Sequence, residues 1–208
     1  PSLKQLAYDL PNDFTYVSFV DSSPSDHNSI SRVNHIMANS NGYPTTAFAD
    51  ATSGTYYAIG GGGSDTDNDG YADSQFDTQF TGGGDMVNPQ DYNIKVTQVT
   101  NGNNLDIEIE AEYLGTGTSV VYVYAAVTEK VCTTSYNDGS YPHYCWAAWL
   151  TTGGNKNGAG GFQMFTLAAN SPQTATWSVP ANTAGGGASN TVTVGALMSG
   201  PHTTWNDF

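Results

Sequence analysis

Residues 105–113, LDIEIEAEY, alternate apolar and acidic side chains without a break. Because successive side chains of a strand point to opposite faces of a sheet, one face of this segment is apolar and the other is acidic. Such alternation is typical of an antiparallel sheet that covers a core with one face and meets water with the other. The segment therefore predicts a β-strand whose carboxylates form a solvated surface: Asp106, Glu108, Glu110 and Glu112.

Six further segments of the second half have strand composition and are separated by turn-forming Gly, Asn, Pro and Ser residues. Residues 120–127, VVYVYAAV, are apolar on both faces and are therefore expected at the centre of a sheet. Together with 105–113, the segments predict a seven-stranded antiparallel β-sandwich of immunoglobulin-like type over residues 91–208. The six segments are 92–99, 120–129, 144–151, 161–168, 173–180 and 191–199.

The first 63 residues have a mixed pattern. Leu3, Leu6 and Leu10 lie on one helical face, and a second helical face follows a β-rich segment. This order of elements predicts a small α/β unit. Its helices are predicted at 1–10 and 28–39, and its strands at 14–21, between the GYPT segment and a turn at 50–54, and at 55–59.

That order, together with the segment GYPT at 42–45 and Phe48, resembles the thioredoxin superfamily from the helix after its active site onward. In that family the proline is cis and faces the redox cysteines, and Pro44 occupies the matching position. The resemblance implies a partial thioredoxin-like unit over residues 1–63, so the predicted fold class is α+β, this unit followed by the sandwich. No Cys-x-x-Cys occurs in the chain, and dithiol exchange in the family's manner would need that motif upstream of residue 1. An unrelated α/β unit is the alternative.

An acidic, glycine-rich segment over residues 64–90 separates the two halves. Its alternating aspartates are followed by Gly70, which suits a cage of oxygen ligands around a hard cation. The segment resembles the calcium loops of EF-hand, dockerin and thrombospondin type 3 repeat proteins, although the acid of their twelfth position falls one residue later here. A solvated acidic linker is the alternative. The resemblance implies bound calcium, with the ligands Asp65, Asp67, Asp69, the Tyr71 carbonyl, Asp73 and Asp77.

The charge of the chain excludes some partners. Five Lys and Arg residues stand against 19 Asp and Glu residues, which gives a formal net charge of −14. Nucleic acid is not an expected partner, because binding a polyanion depends on basic contacts to phosphate. Membrane insertion is not expected either, because no apolar run has the length that a bilayer requires.

Two cysteines, Cys132 and Cys145, flank the turn-rich segment TTSYNDGSYPHY. The spacing suits a disulfide that closes a hairpin loop, and such a bond implies an oxidising compartment, either extracellular, at the cell surface or periplasmic. The low fraction of charged residues, 12%, and the many Gly and Tyr residues fit the same class of protein. Two free buried thiols are the alternative.

The residues indicate no catalytic constellation. The four histidines lack zinc-site spacing, and no nucleophile or phosphate-binding motif occurs. The predicted function is therefore a non-catalytic structural, adhesive or assembly role, with another protein or a second copy as partner and a bare strand edge near residues 14–21 as one contact. The alternatives are a thiol-disulfide oxidoreductase fragment and a glycan-binding module. Stacking on a sugar would use the tryptophans, Trp146, Trp149, Trp177 and Trp205.

Overall fold

The computed structural model of this chain describes residues 16–18, 45–49, 56–60, 68, 91–135, 139–150 and 163–198, with the backbone alone at 45–49 and 56–60. The chain divides into two compact units. One unit comprises Pro1–Tyr16, Arg32–Gln90 and Phe208, and the other comprises Val17–Ser31 and Asp91–Asp207.

The described part of the first unit is an antiparallel hairpin. Strand β1 (Thr45–Ala49) pairs with strand β2 (Tyr56–Gly60). The register joins Thr45 to Gly60 at one end and Ala49 to Tyr56 at the other. The strand predicted between GYPT and the turn at 50–54 is confirmed, and the strand predicted at 55–59 is confirmed with a shift of one residue.

The second unit contains seven strands in two antiparallel sheets. The three-stranded sheet has the order β3-β4-β8, and the four-stranded sheet is built around β5, which pairs with β6, β7 and β9. Each of the seven strands coincides with a predicted one to within two residues at either end. The strands are β3 (Tyr92–Asn101), β4 (Asn104–Tyr113), β5 (Thr118–Val131), β6 (His143–Trp149), β7 (Gln163–Ala168), β8 (Gln173–Pro180) and β9 (Thr191–Met198).

Strand β4 is the centre of the three-stranded sheet. A two-residue turn joins it to β3, and Gly102 at the first turn position has φ 60°, a left-handed conformation that glycine adopts without a steric penalty. The alternation predicted for 105–113 is confirmed, since the apolar members are buried and the acidic members lie on the opposite face. The buried members are Leu105, Ile107, Ile109 and Ala111.

Strand β5 is the centre of the four-stranded sheet and is 14 residues long. It pairs with β7 over residues 118–123, with β6 over 126–131 and with β9 over 122–129. The β5 residues that pair with β9 overlap both those that pair with β6 and those that pair with β7, so β9 must lie on the opposite edge of β5 from both. Strands β6 and β7 therefore lie end to end along one edge of β5, and β9 lies along the other. Residues 123–129 are all buried, so the predicted central position of this segment is confirmed.

The inner faces of the two sheets form one hydrophobic core. A Cβ placed on Gly195 of β9 would lie 3.1 Å from both Ile109 Cδ1 and Val96 Cγ2, so the glycine allows close approach of the two sheets. Burial of each large apolar side chain contributes about 1.5–3 kcal/mol, and the core therefore supplies the main stabilisation of the unit. Its buried members include Leu105, Ile107, Ile109, Val121, Val123, Val127, Phe165 and Leu167.

The α+β prediction is wrong for the described residues, because 67% of them are in strands and only 3% are helical. The one helix among them is the 3-10 turn Ala188–Asn190, and the helices predicted at 1–10 and 28–39, like Pro44, lie outside the described residues. Ser18, from the predicted strand at 14–21, forms a parallel bridge with Cys145 of β6. Ser18 therefore pairs with the edge of the four-stranded sheet. Strand periodicity indicates a buried face but does not identify the sheet that buries it.

Candidate functional site

The residues predicted to bind calcium lie outside the described residues, namely Asp65, Asp67, Asp69, Tyr71, Asp73 and Asp77. Asn68, within the same segment, is exposed and has φ 62°, a left-handed conformation that Asn tolerates better than most residues. Among the side chains that the structure describes, no group of three or more His, Cys, Asp or Glu residues could hold a metal ion. The calcium site therefore stays a prediction.

The acidic side chains of β4 do not cluster around a common point. Asp106 accepts a hydrogen bond from Ser178 Oγ on β8 and another from Asn101 Nδ2 on β3, each 2.7 Å long. These bonds, first that from Ser178 and then that from Asn101, lower the pKa of the Asp106 carboxyl group. Glu112 accepts a bond of 3.2 Å from Asn93 Nδ2. Each of these two carboxylates thus accepts hydrogen bonds from side chains of neighbouring strands, which fits a structural surface role.

The described tryptophans do not form an exposed sugar-binding platform. Trp146 is 3% exposed, and Trp177 packs against the hydrophobic core. The rings of Trp146 and Trp149 lie 6.1 Å apart at an interplanar angle of 59°, a tilted contact between neighbours on one strand. Trp205 lies outside the described residues.

Strand β3 has an edge without a paired strand among the described residues. The bond from Leu114 N to Asp91 O and the two-residue turn at the other end fix which β3 residues bond to β4. The odd-numbered residues do so, and the backbone groups of Ile94, Val96 and Gln98 point away from β4. The Gln98 side chain bonds to β9, donating to Thr191 O at 3.0 Å and accepting from Thr193 Oγ1 at 2.8 Å.

The two cysteines meet at one end of the sandwich. Both are free thiols in the structure, and Cys132 and Cys145 are 2% and 0% exposed. The Cys132 backbone N–H donates to Pro142 O at 2.8 Å, which places Cys132 beside the start of β6. The hydrogen bond between the two thiols, followed by burial, raises the pKa of the Cys145 thiol above its usual range. The two side chains are thus adjacent as thiols, and the disulfide between them stays a prediction.

A buried carboxylate lies beside the thiols. Glu129 is 0% exposed, pairs with Cys145 across β5 and β6, and contributes to the raised pKa of that thiol through its charge. Its Oε2 accepts a 2.7 Å hydrogen bond from the Thr133 backbone N–H. Glu129, Cys132, Thr133 and Cys145 are called the thiol–carboxylate cluster below. A thiol whose pKa is raised is a poor nucleophile at neutral pH, so the cluster is unsuited to dithiol catalysis.

The segment 181–190 between β8 and β9, called the β8–β9 connection below, packs against this cluster. A Cβ placed on Gly185 would overlap Glu129 Oε1 and approach Thr133 Cγ2 to 2.8 Å. Asn190 Nδ2 donates 2.8 Å bonds to Gly185 O and to Val131 O, and Asn190 Oδ1 accepts a 3.0 Å bond from Val131 N. The Asn190 side chain therefore ties the connection to the end of β5.

Sequence reasoning missed Glu129. A glutamate near the end of an apolar strand ordinarily marks the return of the chain to solvent, and the alternation gave no reason to bury it. The signal that was present is its position, since Glu129 lies two residues beyond the buried Val127 on the same face. Gly185, which leaves room for the carboxylate, is 56 residues away in sequence and no local pattern links the two.

Comparison with known proteins adds no family. No protein-family model matches this chain, and no curated protein does. Solved structures that it resembles include two crystal structures of the β-glucosidase from Kluyveromyces marxianus, one in complex with glucose, at 9% and 10% identity. Each match covers 54% of this chain and 14% of the β-glucosidase chain, with a TM-score of 0.27. A likeness at that TM-score carries no argument about fold or function.

Proposed function

We propose that this chain is a secreted or cell-surface structural module that assembles with a second copy of itself, without catalytic activity, and that binds calcium through residues 65–77. The described charged side chains support a non-catalytic role, because the acidic face is dispersed and the carboxylate and both thiols of the thiol–carboxylate cluster are buried. No helix that the described residues form is long and apolar enough to cross a membrane. An extracellular or periplasmic location is part of the proposal and derives from composition.

The observation that carries the proposal is the edge of β3. The strand is 10 residues long, and its apolar side chains are unusually accessible, with Ile94 40%, Val96 36% and Val99 56% exposed. Long edge strands with apolar side chains recruit further strands, because their backbone N–H and C=O groups lack partners in the sheet. Strand addition at such an edge is an established mode of protein assembly.

Charge favours a second copy at this edge. A chain of net charge −14 repels another copy over most of its surface, but β3 contains no acidic residue and carries Lys95. Antiparallel pairing of two β3 strands about a twofold axis at Val96 would place each Lys95 opposite Thr97 of the second copy. No two like charges would then lie directly opposite each other in the strand pair.

Val99→Lys should weaken self-association. In the twofold arrangement the new ammonium group would lie diagonally across from Lys95 of the second copy, and edge lysines oppose strand addition. We expect the dissociation constant, measured by sedimentation equilibrium, to rise by about tenfold, which corresponds to about 1.4 kcal/mol. Met164→Lys is the matched control, because Met164 is 53% exposed on β7 and the substitution changes the net charge equally. A monomeric parent chain at all concentrations, or equal effects of the two variants, would contradict the proposal.

Calcium should stabilise the chain through residues 65–77. Five carboxylates within this segment repel one another, and a ligand that binds only the folded form adds about 2.7 kcal/mol at a hundredfold excess over its dissociation constant. We expect heat on calorimetric titration with calcium and a melting temperature that falls on chelation. Asp67→Ala should abolish both effects, whereas Asp106→Ala, which changes the acidic face, should leave them in place. A melting temperature indifferent to chelator, together with no titration heat, would refute the calcium site.

A further inference from the structure

The strongest unassigned chemistry in the described residues lies in the thiol–carboxylate cluster. The two thiols are in hydrogen-bond contact, and a disulfide between them would close a segment of only 13 residues from Cys132 to Cys145. Both sulfurs are buried, and thiol exchange requires that a reagent reach a thiolate. Burial of the sulfurs, together with the raised pKa of the Cys145 thiol, therefore limits oxidation in the folded chain.

The β8–β9 connection packs against the thiol–carboxylate cluster on the side of the Glu129 carboxylate. Gly185 lies directly against the Glu129 carboxylate and the Thr133 methyl group, the two members of the cluster that border the thiols. The three hydrogen bonds of the Asn190 side chain hold the connection in this position. Thr183 adds a bond of 2.7 Å from its Oγ1 to Pro180 O at the start of the connection. Loss of these bonds frees the segment without removing any core side chain.

We propose that Cys132 and Cys145 form a reversible disulfide modification site whose reaction with a small disulfide oxidant is gated by the β8–β9 connection. When the connection lifts, one cysteine thiolate attacks a sulfur of oxidised glutathione and displaces the first glutathione thiolate. The second cysteine thiolate attacks the protein sulfur of the mixed disulfide and displaces the second. Two electrons pass to the oxidant, the two cysteine protons go to the two glutathione thiolates, and one intramolecular bond remains. The site is independent of the assembly proposed above.

The Asn190→Ala variant tests the gate. The reduced chain is incubated with oxidised glutathione, and the loss of two hydrogen atoms per chain is followed by mass spectrometry, with peptide mapping of the linked residues. Because Asn190→Ala removes three hydrogen bonds that hold the connection, each worth about 1 kcal/mol, we expect the variant to be oxidised on the order of a hundredfold faster than the parent chain. Asn93→Ala is the matched control, because it removes an exposed side-chain bond on β3 and should leave the rate unchanged.

Two outcomes would overturn the proposal. A stable mixed disulfide with glutathione and no link between Cys132 and Cys145 would show that the pair does not act as a unit. Equal oxidation rates in the parent chain and the variant, both rising with denaturant in step with global unfolding, would show that the connection is not the gate. If Asn190→Ala fails to fold, Thr183→Ala provides the same test with the loss of one side-chain bond, and a rate equal to that of the parent chain would count against the gate.

Discussion

Ile109→Ala should lower the free energy of unfolding by about 2–5 kcal/mol, the range for truncation of a fully buried large aliphatic side chain. Ile109 is 0% exposed at the centre of β4, and its Cδ1 atom lies against Gly195 of the opposite sheet. The truncation therefore removes contacts between the two sheets as well as within one. Ile109→Val, which removes only Cδ1, should cost about 0.5–1.5 kcal/mol.

Denaturant unfolding followed by tryptophan fluorescence would measure both changes. Val99→Ala is the matched control, because Val99 is 56% exposed on the neighbouring β3 and its truncation should change the free energy of unfolding by less than about 0.5 kcal/mol. A loss below 1 kcal/mol for Ile109→Ala would mean that the core described here is not the one that stabilises the second unit.

Gly185→Ala should cost about 1–3 kcal/mol, the range for overpacking of a close-packed site. The added methyl group would overlap Glu129 Oε1, and the carboxylate could move only by weakening its 2.7 Å bond from the Thr133 N–H. Thermal or denaturant unfolding of the reduced chain would give the loss. The displaced group is a buried carboxylate, so its movement is more costly than that of a solvent-exposed side chain.

A double-mutant cycle with Glu129→Ala distinguishes overlap from a general sensitivity of the connection. Once Glu129 is truncated, the alanine at position 185 meets free space, and its additional cost should shrink by more than about 0.5 kcal/mol. Strictly additive losses would show that Gly185 is needed for a reason other than the carboxylate. Gly187→Ala is a useful comparison, because that glycine has φ 73° and no neighbour within 4 Å, so any loss there is due to backbone strain alone.

The strands of the second unit could be predicted because their patterns are strict. The segment around Ile107 alternates at every position, which predicts a strand with one buried face and one solvated face. The segment around Val123 is apolar on both faces, which predicts a strand that is buried on both faces. The turn residues Gly102 and Asn103 then fix the hairpin between β3 and β4. In each case the information is local, within about ten residues.

The features that could not be predicted depend on pairing between distant residues. Ser18 joins β6 through backbone bonds, with Ser18 N donating to Tyr144 O and Trp146 N donating to Ser18 O, both at 2.9 Å. Nothing in a strand-like segment near residue 18 identifies that partner. The α+β interpretation assigned this segment to a sheet formed by its sequence neighbours, whereas Ser18 pairs with β6.

The candidate site was predicted only in part. The proximity of Cys132 and Cys145 follows from the turn-rich segment between them, which favours a hairpin. The burial of Glu129 beside them follows from the absence of a side chain at Gly185, on a connection that arrives from another part of the sandwich. A single sequence does not encode such complementarity in any local pattern.

The pairing of β5 with three strands that all follow it in sequence, β9 being the last, constrains how the sandwich can fold. Hairpins β3–β4 and β5–β6 join close neighbours and can form early, whereas the Thr128 side chain bonds to Val192, 64 residues away, and β4 likewise waits for β8. Folding that depends on such distant pairings is slow, roughly milliseconds to seconds. In that interval β4 and β5 each have one edge whose backbone N–H and C=O groups are unpaired. During synthesis on a ribosome, the interval lasts until β8 and β9 have been made. The rate at which the last two strands arrive therefore determines how long the nascent chain is exposed to pairing with the wrong partner.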